Sequence, residues 1–147
     1  MINYKFVSHS NIKRLISIIK LNNRVKINKI TYLAKKISKT LDSNLIKSYI
    51  IYFPSKDLNK KDFTYIAIIS SSHIVISSYS EDDSLYLDID VAWCSDKIIN
   101  PNDMAELLKE TFGKDLRKIL TIKIYDYLGN MMMAFSPDGM MIAEFSE

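Results

Sequence analysis

The sequence has few of the residues that build disulfides, metal centres and tight turns. Its 147 residues include one cysteine, two histidines, three glycines and three prolines. A single cysteine, Cys94, excludes an internal disulfide framework and a cysteine-based zinc site. Since only His9 and His73 could add imidazole ligands, we expect no metal centre.

Long apolar segments are missing as well. No stretch reaches the roughly 18 uninterrupted apolar residues that a bilayer crossing needs. The first residues, MINYKFVSHSNIKR, lack the charged start, apolar middle and cleavage site of a secretory signal. Hydrophobic residues make up 48% of the chain and charged residues 25%, which favours a globular protein over a disordered one. We therefore predict one cytoplasmic domain over residues 1–147, with no membrane partner.

Acidic residues are scarce in the first 60 positions. That part has 13 basic and two acidic residues, a net charge of +11, and the remainder has 7 basic and 15 acidic residues, a net charge of −8. A basic half is typical of contact with nucleic acid or a membrane surface. Because no nucleic-acid-binding motif accompanies it, we predict no nucleic-acid partner. An acidic partner, or packing of the two oppositely charged parts against each other, stays open.

The spacing of apolar residues predicts two helices. Asn28 is expected to cap the first helix, whose apolar positions recur at three and four residues. Asn100 and Pro101 start the second helix, and Gly113 ends it. Residues 12–21 fit either a strand or one face of a helix.

The remaining apolar segments predict strands. They cover residues 45–53, 63–69, 73–79, 85–93 and 116–127, after an apolar stretch at 2–7. A Met-rich C-terminal hairpin, at about 130–147, has strands at 131–135 and 140–145 around a turn at 136–139. Two helices among seven or eight strands indicate an α+β fold, a two-layer α/β sandwich. We expect a mainly antiparallel sheet with both main helices on one face.

One region carries a motif. Residues 70–81 read SSSHIVISSYSE, and LDIDVAWC follows at 87–94. This order resembles the prokaryotic S-adenosylmethionine decarboxylases. In that family a Glu-Ser-His-hydrophobic-x-hydrophobic-His-x-aromatic-Pro-Glu segment precedes an Asp-x-x-x-Cys-Gly segment. The likeness covers about residues 12–125, and the Met-rich hairpin looks like an addition to it.

The resemblance implies a self-processing enzyme. In the family the motif serine attacks the preceding carbonyl, and β-elimination of the resulting ester leaves an N-terminal pyruvoyl group. That group accepts electrons as carbon dioxide leaves the substrate. If the motif positions of the family are transferred to this sequence, cleavage falls between Ser71 and Ser72, and the pyruvoyl cofactor derives from Ser72. The substrate implied is S-adenosylmethionine, whose product is the aminopropyl donor for spermidine synthesis, and we also predict a homodimer.

Further site residues follow from the same resemblance. Cys94 matches the general acid that returns a proton to the substrate carbon, and Thr64 matches a processing-site hydroxyl. Phe53 and Tyr79 match aromatics that sandwich the adenine, and Glu81 matches a carboxylate that binds the ribose hydroxyls. We expect all of these residues to line one pocket with Ser72, and Cys94 to approach Ser72 from a neighbouring strand.

The chain differs from the family pattern at several positions. Ser71 stands in place of glutamate, Ser95 in place of glycine, and Ser77 in place of the histidine that acts as a base in processing. His73 shares strand parity with Ser77 and is a candidate catalytic residue. Two alternatives therefore stay open. One is a processing-dead homologue that binds a nucleoside or regulates a partner, and the other is a decarboxylase of arginine or ornithine.

Overall fold

An eight-stranded antiparallel sheet is the framework of the protein. The computed structural model describes residues 11–22, 24–56, 59–136 and 141–143. The sheet order is β2-β3-β4-β5-β1-β6-β7-β8, so the first strand lies in the middle. In chain order the elements are β1 (Lys13–Leu21), α1 (Ile27–Thr40), β2 (Leu45–Pro54), β3 (Lys61–Ile69), β4 (Ser72–Glu81), β5 (Ser84–Trp93), α2 (Pro101–Phe112), a 3-10 turn (Gly113–Asp115), β6 (Leu116–Tyr125), β7 (Met131–Phe135) and β8 (Met141–Ala143).

The two helices pack on one face of the sheet, which confirms the predicted α+β sandwich. Residues 12–21, which fitted either period, form a strand from Lys13 onward because alternate side chains enter the core. Leu15, Ile19 and Leu21 are fully or almost fully buried, whereas Ile16 between them is half-buried on the opposite face. We call this opposite side of the sheet, away from the helices, the open face.

The predicted helix boundaries are correct for α2 and wrong at the start of α1. The side chain of Asn100 accepts a hydrogen bond from the Asn102 amide at 2.8 Å, and Gly113 ends α2 with φ of +55°. Asn28 does not cap α1, since the helix already begins at Ile27 and Lys26 stands at its N-cap without a side-chain bond. Partly buried Ile27 packs against the core, which explains the earlier start.

The strand expected at 116–127 ends at Tyr125. Asp126 closes a turn there, because its carboxylate accepts hydrogen bonds from the amides of Leu128 and Asn130, both at 2.9 Å. The C-terminal hairpin is present as paired strands, with Phe135 opposite Met141. Four predicted features lie wholly or partly outside the described residues: positions 137–139 of the expected turn at 136–139, Met140, residues 144–145, and the apolar stretch at 2–7.

The oppositely charged parts of the chain pack together. The basic strand β1 lies beside β5, which carries Asp88 and Asp90, whereas its other neighbour β6 carries three basic residues and no acidic one. Lys29 on α1 forms an ion pair with Asp115 at 3.8 Å, and Lys97 forms one with Asp42 at 3.7 Å. Part of the charge asymmetry is therefore used within the fold.

Candidate active site

The predicted cleavage point lies at the turn between β3 and β4. Ser72 is the first residue of β4 and pairs with Trp93 at the end of β5, so Cys94 follows on the neighbouring strand. The Cys94 thiol donates a hydrogen bond to the carbonyl oxygen of Ser71, with a sulfur–oxygen distance of 3.2 Å. This carbonyl belongs to the peptide bond between Ser71 and Ser72, and the thiol polarises it.

Ser72 has a strained backbone and a basic neighbour. Its φ is +154°, a value that residues with a side chain rarely adopt and that costs about 1–3 kcal/mol. Its hydroxyl lies 3.1 Å from Nδ1 of the His73 imidazole. A hydroxyl within hydrogen-bond distance of an imidazole is the usual geometry of an activated nucleophile. The group formed by Ser71, Ser72, His73 and Cys94 is called the cleavage cluster below.

A network of hydroxyls fixes the turn that carries the cleavage cluster. The Ser43 hydroxyl accepts hydrogen bonds from the Ser71 amide at 2.9 Å and from the Ser71 hydroxyl at 3.0 Å. It also lies 2.9 Å from the Ser70 hydroxyl, which accepts a bond from the Asn44 amide at 2.9 Å. Sequence reasoning missed Ser43 because it precedes the motif by 28 residues and no local pattern connects the two.

The turn after Cys94 is held in the same way. The Ser95 hydroxyl donates to the carbonyl of Leu41 at 2.9 Å, and the Lys13 ammonium donates to the Ser95 carbonyl at 2.8 Å. Ser95 replaces the glycine of the family pattern and ties Cys94 to the end of α1. The serine is therefore accommodated here by a specific contact.

Thr64 and Ser77 form a second group on the open face. Their hydroxyls are 3.0 Å apart, on directly opposite residues of β3 and β4. Ser77 in turn stands opposite Asp88 on β5, so the three side chains form one row across the sheet. Burial, and to a lesser degree the neighbouring Asp90 carboxylate, raises the pKa of Asp88 above its usual range.

The row continues along β4 into a groove with aromatic and acidic walls. Tyr79 pairs with Tyr86 on β5, and both line a cavity of about 400 Å³ together with Ile18, Glu81 and Asp88. Half of the Tyr79 side chain is exposed, at 54%. Two phenol rings and two carboxylates suit a ligand that has a flat ring and a positive charge.

Phe53 lies close to the end of the edge strand β2, opposite Asp62. It is 38% exposed and does not line the cavity that contains Tyr79 and Glu81. The expected pair of aromatics around one ligand is therefore not formed by Phe53 and Tyr79 within this cavity. Tyr86 is the aromatic that faces the cavity beside Tyr79.

A buried carboxylate positions the part of β4 that bears Tyr79. Asp62 accepts hydrogen bonds from the hydroxyls of Ser78 and Ser80, both at 2.8 Å, and from the Ser80 amide at 3.0 Å. Both serines are immediate neighbours of Tyr79, so these bonds hold the strand on either side of it. Asp62 was not predicted, because an acidic residue after a polar loop is usually solvated.

The cleavage cluster and the groove do not share one pocket within a chain, which corrects the expectation of a single site. Ser72 and Ser77 are five residues apart in one strand, or about 16 Å. Glu81 lies nine residues from Ser72 in the same strand, or about 30 Å. The expected approach of Cys94 to the cleavage point is observed, whereas Thr64, Tyr79 and Glu81 lie towards the other end of the sheet.

The family model of S-adenosylmethionine decarboxylase matches residues 19–123 of the chain. The protein thus belongs to the S-adenosylmethionine decarboxylase family, whose members are in general pyruvoyl-dependent. Comparison with curated proteins gives no match. In the described ranges no three His, Cys, Asp or Glu side chains form a group suited to a metal ion. None of the helices in the described part of the chain is long and apolar enough to cross a membrane.

Proposed function

We propose that this protein cleaves itself between Ser71 and Ser72 and then decarboxylates S-adenosylmethionine for spermidine synthesis. The observation that carries the proposal is the contact of the Cys94 thiol with the Ser71 carbonyl, beside a serine hydroxyl that touches an imidazole. These groups are the ones that an attack of Ser72 on this carbonyl requires.

Each atom of the cleavage step has a candidate partner. The Ser72 oxygen attacks the Ser71 carbonyl carbon, its proton passes through His73 to the leaving nitrogen, and the peptide C–N bond breaks as the ester forms. Cys94 donates to the oxygen on which negative charge develops. Breaking the bond also relieves the strained φ of Ser72.

Elimination completes the chemistry. Loss of the Ser72 α-proton and of its Cβ–O ester bond releases the Ser71 carboxylate and leaves a dehydroalanine. Water then replaces the nitrogen, which leaves as ammonia, and a pyruvoyl group remains at position 72. Bound at the start of β4, this group supplies an electron-accepting carbonyl for decarboxylation. The Cys94 thiol lies at this point and is the proton donor that we propose for the product carbon.

A second copy of the chain completes the site. Several large apolar side chains on the open face are exposed, among them Tyr49, Ile51 and Ile68, which favours a partner on that face. We place the twofold axis of this dimer across the strands near Val75, which lies midway between positions 73 and 77 of β4, so that position 73 of one copy lies over position 77 of the other. The cleavage cluster of each chain then meets the groove of its partner, and we propose this homodimer as the active form.

The groove supports S-adenosylmethionine as the ligand. Its adenine stacks on Tyr79, and its ribose hydroxyls bond to Glu81, while the sulfonium is attracted by the aromatic faces and by the carboxylates. The described residues that line this cavity include two acids and no lysine or arginine. Arginine or ornithine needs no stacking surface, so the tyrosine pair favours a nucleoside.

A second function has one specific observation in its favour. Among the described residues, Ser77 contacts the Thr64 hydroxyl and stands opposite Asp88 on β5, and neither of these supplies an imidazole. A chain that binds the nucleoside without cleaving itself, and regulates a partner, is compatible with this row. Binding and cleavage must therefore be measured separately.

Intact-mass measurement of the purified protein tests the proposal. Wild-type protein is expected to yield fragments 1–71 and 72–147, the second blocked to N-terminal sequencing, while Ser72→Ala stays at 17.0 kDa. Ser48→Ala, an exposed serine on β2, is the matched control and should be cleaved like the wild type. An uncleaved wild type that binds S-adenosylmethionine supports the regulatory alternative. An uncleaved wild type that does not bind it refutes both functions.

A further inference from the structure

We propose that Asp88 of one copy pairs with His73 of its partner and orients that imidazole toward the partner's Ser72. The inference rests on the proposed homodimer. It assigns a positioning role to a residue that lies outside the motif positions matched above. The sequence lost a histidine at position 77, and this pair would give His73 the support that a base requires.

Asp88 is a half-buried carboxylate that forms no ion pair with any residue in the described part of the chain. Its direct neighbours across the sheet are Ser77 on β4 and Ile18 on β1, and Tyr86 and Asp90 flank it on the same face of β5. In the described ranges the structure shows no ion pair of Asp88. The nearby Lys20 lies instead over the Tyr86 ring, at 5.6 Å. A carboxylate in this position gains from a cation supplied by another molecule.

The charges of the open face are arranged in rows that a twofold axis brings together. The row at position 73 contains two groups that can be positively charged, since His73 pairs with Ala92 and Ala92 pairs with Arg14. Lys47 extends the same row beyond Ile68. With the axis at Val75, this row faces the row that contains Asp88 in the partner.

The small side chain of Ala92 creates the space for the contact. With the same axis, each strand of one chain lies over the equivalent strand of the partner chain and runs in the opposite direction. Asp88 of one chain is therefore over Ala92 of the other. His73 and Arg14 stand on either side of that alanine, on the two adjacent strands. An acidic side chain that enters above Ala92 therefore meets two basic ones, and His73 is the one next to the nucleophile.

The imidazole has one nitrogen available for this pair. Its Nδ1 lies 3.1 Å from the Ser72 hydroxyl. Nδ1 can accept the serine proton only if the other nitrogen, Nε2, carries the ring hydrogen. A carboxylate at Nε2 fixes that tautomer and stabilises the protonated ring, the role that a third group has in serine–histidine–acid triads.

Cleavage kinetics test the role of Asp88. Asp88→Asn should slow cleavage by at least about tenfold, and Asp88→Glu should retain part of the rate. Asp83→Asn, at the exposed turn where Asp83 pairs with Arg117 at 3.9 Å, is the matched control and should cleave normally. Mixing Asp88→Asn with Ser72→Ala chains should restore cleavage of the former, because the latter provide an intact Asp88. Equal rates for wild type and Asp88→Asn, or no recovery on mixing, would overturn the inference.

A second measurement is independent of cleavage. In the Ser72→Ala background at pH 6, the dimer dissociation constant is measured by sedimentation for a double-mutant cycle. Asp88→Asn should weaken the dimer about tenfold when His73 is present and less than about threefold when His73 is glutamine. Equal effects in both backgrounds, or a monomeric protein, would refute the pairing. An uncleaved wild type that still shows the coupling would refute self-processing and leave the pair intact.

Discussion

Replacement of Cys94 by alanine is expected to slow self-cleavage without unfolding the protein. The thiol is the side-chain donor to the Ser71 carbonyl, at 3.2 Å, and alanine removes it. One preorganised donor to a developing oxyanion contributes about 2.7–4 kcal/mol, or a factor of 10² to 10³ in rate. A thiol is a weak donor. We therefore expect about half of that energy, which corresponds to a rate loss of about 10- to 30-fold.

The assay follows the 17.0 kDa precursor on denaturing gels from the moment of refolding. Cys94→Ser keeps a donor at the same position and should lose much less rate than Cys94→Ala. Thermal unfolding of both variants should resemble that of the wild type, because the Cys94 side chain is only partly buried. Cleavage of Cys94→Ala within about twofold of the wild-type rate would refute the role given to the thiol.

Three further predictions concern the rest of the molecule. Tyr79→Ala and Glu81→Ala should each weaken S-adenosylmethionine binding in calorimetry by about 1–2 kcal/mol, for a lost stack or charged hydrogen bond; an unchanged affinity would remove the groove from the site. Asp62→Ala should lower the free energy of unfolding in urea by about 2–4 kcal/mol, because it removes the charged acceptor of three bonds. Replacement of the exposed Asp83 by alanine should change the free energy of unfolding little, and equal effects would contradict the stabilising role given to Asp62. The raised pKa of Asp88 means that the folded single chain holds this proton more tightly than the unfolded chain. Stability of the monomer, measured at low protein concentration, should therefore fall as pH rises from about 4 through the folded-state pKa, and Asp88→Asn should lessen that fall.

Local chemistry explains the features that were predictable from sequence. The α2 boundaries follow from Asn100 and Gly113, since a cap and a positive φ are determined by neighbouring atoms. The strands follow from alternating apolar residues. For residues 12–21 the same pattern fits both a strand and a helix, and the pairing with β5 and β6 decides for the strand. The order of the motif brought Cys94 to the cleavage point, because adjacent strands of a hairpin must pair in sequence.

Tertiary structure decided the contacts between segments distant in the chain. Ser43 supports the cleavage turn from the α1–β2 connection, and Asp62 fixes β4 from β3. The separation of Ser72 from Glu81 follows from their positions at opposite ends of the ten-residue strand β4. The alternation of apolar residues along a strand indicates which of its side chains lie on the same face. Only the order and register of the strands determine which side chains of different strands are in contact. The sequence by itself therefore determined most of the secondary structure and the residues of the motif, and the sheet topology decided how those residues are divided into two groups and which further residues support them.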